Sequence, residues 1–124
     1  MNALNLARHA YDKQSAIMRT PRDMEYEAFS RVTRQLQKIQ NEKHHSPTEL
    51  ARALHENRRL WTVLACDVMS DGNQLPDALK AQILYLSEFS NQHSRKILQN
   101  QDDVQPLIEI NTAVMRGLRN GSTL

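Results

Sequence analysis

The residues able to do chemistry are few and far apart. His44 and His45 are adjacent, and a metal held there needs at least two further ligands close by, yet the Cys/His spacings of known zinc sites are absent. Both histidines read as loop residues. Cys66 is the single cysteine; it projects away from the apolar stripe of its segment, and nucleophilic work requires a neighbouring histidine or cation to lower its pKa. His93 falls on the apolar side of its segment, where a hydrogen-bonded core histidine is the expected reading. No Ser/His/Asp set, paired-carboxylate motif or glycine-rich phosphate loop has recognisable spacing. The sequence therefore predicts a protein that is not an enzyme, with no catalytic residue, cofactor, metal or small-molecule substrate.

Binding is the better prospect, and four residues stand out as candidate partner contacts: Asn57, Arg58, Trp61 and Leu84. Helical spacing places Asn57 inside the stripe of Leu50, Leu54, Trp61 and Leu64, where a bare amide is costly. Two readings are open for it, a tie from its helix to a neighbouring backbone or a contact with a partner. Arg58 lies at the edge of the apolar face next to Trp61, joining a planar donor to an aromatic anchor as interfaces often do. Trp61 itself is either core or anchor. Leu84, with Leu98 and Val63, sits off the main stripes and marks apolar surface left over for a partner helix.

Positioning these residues falls to helices. Glycine is scarce, prolines sit at segment borders and strand-type alternation is missing, so the pattern predicts an all-α protein. Five helices are expected. The first is short, from about Ala3 to Gln14. The second opens at Thr20-Pro21 and buries Phe29, Val32, Leu36 and Ile39, with Arg31, Arg34 and Lys38 facing away. A capping box at Ser46-Pro47-Thr48-Glu49 starts the third, which runs to a stop at Gly72. The fourth, Pro76 to about Asn100, offers Leu79, Ile83, Leu86, Phe89 and Ile97 as its stripe. The fifth, Pro106 to about Arg119, offers Leu107, Ile110, Val114 and Leu118, and the tail from Gly121 is expected to fray. Short connections favour antiparallel neighbours. The expected architecture is a compact up-and-down bundle of three long helices with short N- and C-terminal ones, a single domain over 1–124.

A chain of 124 residues buries enough surface for an independent core. A lone thiol excludes an internal disulfide and fits a reducing compartment. The N-terminus lacks the apolar run of a signal peptide, and no segment approaches spanning length. These features predict a cytoplasmic protein with no membrane contact. The formal charge of +2 is spread along the chain, whereas nucleic-acid binders usually concentrate Lys and Arg on one face.

Longer motifs narrow the reading. Asn57-Arg58-Arg59-Leu60-Trp61, followed by Gly72-Asn73-Gln74-Leu75-Pro76-Asp77-Ala78-Leu79-Lys80-Ala81-Gln82-Ile83, resembles the signature of the FlaF family of flagellar biosynthesis regulators. Thr20-Pro21-Arg22 leading into Glu25-Tyr26-Glu27-Ala28-Phe29, and Pro106-Leu107-Ile108-Glu109-Ile110-Asn111, keep the same order, so the resemblance spans nearly the whole chain. It implies a cytoplasmic, non-enzymatic protein for bacterial flagellum assembly and motility. Such a protein is needed for flagellin production or secretion, is similar to a flagellin chaperone, and acts alongside the regulator FlbT. Flagellin is thus the expected partner. The alternatives are an adaptor working with FlbT and a regulator contacting flagellin mRNA through Arg31, Arg34 and Lys38. The motif residues serve either binding or folding.

Overall fold

The structure is a computed structural model that describes residues 21–120. Among the described residues it holds four helices and no strand: α1 (Pro21–Asn41), α2 (Pro47–Met69), α3 (Asp77–Leu98) and α4 (Gln105–Asn120). The all-α expectation holds, with three helices of 21 to 23 residues and one of 16. The predicted first helix, the Thr20 cap and the fraying tail lie outside the described residues.

The helix ends follow from local chemistry. Ser46 takes an extended conformation and its Oγ accepts the Glu49 N–H at 3.0 Å, which satisfies one of the free amides opening α2, while Pro47 occupies the first turn. At the other end the Ser70 N–H and hydroxyl and the Asn73 side-chain amide all donate to the Asp67 carbonyl. Gly72 then turns the chain with φ +86°, in the left-handed region that penalises a side chain. Asn73 builds the rest of this connection: its Oδ1 accepts the Leu75 N–H and its carbonyl accepts the Lys80 ammonium at 2.9 Å.

α3 ends in a Schellman motif carried by an asparagine. Asn100 has φ +60°, its N–H donates to the Ile97 carbonyl, and the Gln101 N–H reaches back to Lys96. Asp103 then opens α4 by accepting the Gln105 N–H on Oδ1 at 3.0 Å.

Two apolar clusters reveal the direction of each helix. One joins Ala28, Phe29 and Val32 from early α1 to Leu60, Trp61, Leu64 and Val68 from late α2, Ile83 from early α3 and Val114 from late α4. The other joins Leu36 and Ile39 to Ala53 and Leu54, Ile97, Leu107 and Ile108, the opposite half of every helix. Successive helices therefore run antiparallel, and the bundle is up-and-down as expected. α1 packs on α4 and α2, and α2 packs on α3, whereas α3 and α4 meet only sparsely.

The stripe of α1 matches its expected face: Phe29, Val32, Leu36 and Ile39 are buried, and Arg31, Arg34 and Lys38 are exposed; on α2, Leu54, Trp61 and Leu64 are buried as expected and Leu50 is partly so. α3 departs from its expected face. It buries Ile83, Ser87, Ser90, His93, Ser94 and Ile97, while Leu79, Leu86 and Phe89 are only partly covered. Ile83, Ser87, Ser90, Ser94 and Ile97 follow one another at steps of four and three, so the helix is turned away from the face that its larger apolar residues define.

Candidate functional site

The motif residues meet in the middle of the bundle. Asn57 and Trp61 lie one turn apart on α2 and are both 0% exposed, as is Asn111 on α4. The Trp61 indole is a donor only, and its Nε1–H donates to Oδ1 of Asn111 at 2.8 Å. That contact fixes the orientation of the Asn111 amide, whose Nδ2 donates to Oδ1 of Asn57 at 2.8 Å. Asn57 in turn must present its own Nδ2 outward, and it donates to the Ser90 hydroxyl on α3 at 3.0 Å. The result is a one-way ladder from Trp61 through Asn111 and Asn57 to Ser90, binding α2, α4 and α3 across the interior.

α1 joins the same layer through shape. The Phe29 ring meets Trp61 edge to face, with centroids 5.5 Å apart and planes at 84°, a geometry that contributes about 0.5–1.5 kcal/mol beyond area burial. Every amide hydrogen-bonding direction of this kind left unmet in the interior costs about 1–3 kcal/mol, so the ladder is a strong constraint on how the four helices align.

The candidate contacts are thereby divided. Asn57 and Trp61 present no surface to a partner in this conformation; they join helices. Asn57 is the buried tie that the sequence suggested, but its partners are two side chains and not a neighbouring backbone. Arg58, one residue along, is exposed at the edge of the buried face. Leu84 is partly buried against the cluster containing Trp61, and Leu98 is 52% exposed. Sequence reasoning missed Ser90 and Asn111 as members of the site. The signal was available for Asn111, since it shares a helical face with Leu107 and Val114 just as Asn57 shares one with Leu54 and Trp61, and two amides on facing apolar stripes need each other.

The remaining chemical groups are disposed quietly. His93 is 5% exposed and its Nε2 lies 2.9 Å from the Asp103 carbonyl, which can only accept, so Nε2 carries the proton. Its ring stacks on Phe89, and Nδ1 lies 3.9 Å from the Asp102 carboxylate. It is the hydrogen-bonded core histidine expected, and it pins α3 to the entrance of α4. His44 and His45 are exposed in the connection before α2, and Cys66 is exposed. No group of three or more metal-ligating side chains occurs among the described residues, and no described helix is long and apolar enough to cross a membrane.

Over the described residues, fold and site together define a small antiparallel bundle of four helices whose most specific feature is a buried Trp–Asn–Asn–Ser ladder. The ladder is built from residues of two of the motifs quoted above, plus one serine. The chain belongs to the FlaF family: the family model, described as flagellar protein FlaF, matches residues 7–118. No curated protein and no solved structure matches the chain significantly.

Proposed function

We propose that this chain is a non-enzymatic flagellar biosynthesis protein that binds flagellin in the cytoplasm, keeps it unassembled and supports its production and secretion as a chaperone does. Membership of the FlaF family carries this reading. Apolar side chains left uncovered on the described surface support it: Met69 and Tyr85 are each 70% exposed and Leu98 is 52% exposed. Such surface suits the apolar stripe of an amphipathic helix, each anchor contributing about 1.5–3 kcal/mol when buried. Arg58 is the preferred polar contact and Leu84 an apolar one. The test is size-exclusion chromatography with light scattering of the protein alone and mixed with its cognate flagellin. A stable complex of defined stoichiometry is expected; two unchanged, separate peaks at micromolar concentration would defeat the reading.

One observation favours a second reading, in which the chain regulates flagellin mRNA directly or as an adaptor beside FlbT. Arg31, Arg34 and Lys38 are all exposed on α1, away from its buried stripe. A basic α1 face is suited to phosphate contacts, and RNA affinity falling steeply with salt is its signature.

A further inference from the structure

The four helices are unequally anchored. Of the seventeen buried apolar residues described, α2 supplies six while α3, only one residue shorter, supplies two, Ile83 and Ile97. Among the seven buried polar residues the order inverts, and four come from α3: Ser87, Ser90, His93 and Ser94. Meanwhile Tyr85 and Leu98 of α3 lie on the surface. α3 rests on α2 and barely meets α4, whereas α1 lies against both α2 and α4.

Apolar area removed from water is what resists the opening of a helix, and a buried serine removes little of it. The directed bonds holding α3, from Asn57 to Ser90 and from His93 to the Asp103 carbonyl, are exchanged for bonds to water when it leaves, so their net contribution is modest. Ser94 donates to the Ser90 carbonyl within α3 itself and provides no tie to another helix. We infer that α3 opens as a unit from a platform of α1, α2 and α4 under native conditions, a conformational device that is independent of the flagellin-binding reading. Opening releases the Asn57 end of the ladder while Trp61 and Asn111 remain paired.

Hydrogen exchange of the full chain, followed by mass spectrometry at increasing sub-denaturing urea, tests this. Amides of α3 should exchange about 100-fold faster than the slowest amides of α1, α2 and α4, with a shallower urea dependence. Gln37→Gly, at an exposed site on α1, supplies a second measurement without touching the core. It should speed the slowest amides of α1, α2 and α4 about fivefold through lost helix propensity and leave α3 unchanged. If α3 shares the rate and urea slope of the other helices, or accelerates with them in Gln37→Gly, α3 does not open separately and the inference is overturned.

Discussion

The indole of Trp61 and the amide of Asn111, fifty residues apart in sequence, are joined by a 2.8 Å hydrogen bond in the bundle interior. Because indole can only donate, this bond sets the orientation of both asparagine amides that follow it. Trp61 is thus both the largest side chain fully buried and the group that gives the polar layer its direction.

Removing only the donor separates these roles. Trp61→Phe keeps an aromatic ring against Phe29 but leaves Asn111 Oδ1 unpaired, and it should cost about 1–3 kcal/mol. Trp61→Ala should cost about 3–5 kcal/mol by emptying the site. Thermal denaturation followed by circular dichroism measures both, and a Trp61→Phe variant as stable as the parent would mean that the hydrogen bond contributes nothing.

Asn57 is satisfied on both sides of its amide. Asn57→Leu leaves Asn111 Nδ2 without its acceptor, and a loss of about 2–3 kcal/mol in urea denaturation is expected. Asn57→Leu with Asn111→Leu removes two amides at once and should cost less than the sum of the single changes, a coupling that a double-mutant cycle reads directly.

Arg58 carries the partner reading on the surface. Arg58→Glu should change stability by no more than about 0.5 kcal/mol and weaken flagellin association about tenfold or more if Arg58 sits at the interface. Calorimetric titration with unchanged affinity would remove Arg58 from that interface.

Two backbone sites test the helix ends. Ser46→Ala loses the cap of α2 and should cost about 1 kcal/mol. Gly72→Ala should cost about 1–2 kcal/mol for conformational reasons alone; a Cβ built there meets nothing within 4 Å. A neutral Gly72→Ala by thermal melt would show that the turn rearranges.

Much of this architecture was legible because helix ends are written in local chemistry. Ser46-Pro47 and Gly72 each act within a few residues of themselves, and they fall where α2 begins and stops. The faces of α1 and α2 were equally plain, since large apolar residues alone define them. α3 was not, because reading its apolar period assigns Leu86 and Phe89 inward and passes over Ser87, Ser90 and Ser94, whose small size suits close approach to α2 but carries no hydropathy signal. The amide ladder was half visible. Asn57 announced itself by lying on an apolar stripe, but the identity of its partners depends on which helices lie across the interior, a tertiary fact that no local spacing encodes.

Trp61 is the one tryptophan of the chain, and its ring is wholly buried beside the Asn111 amide. Indole emission moves to longer wavelength when water reaches the ring, so the molecule carries its own optical probe of the interior. A single fluorescence trace therefore follows the parting of α2 from α4, with no label attached and no second tryptophan to confuse the signal.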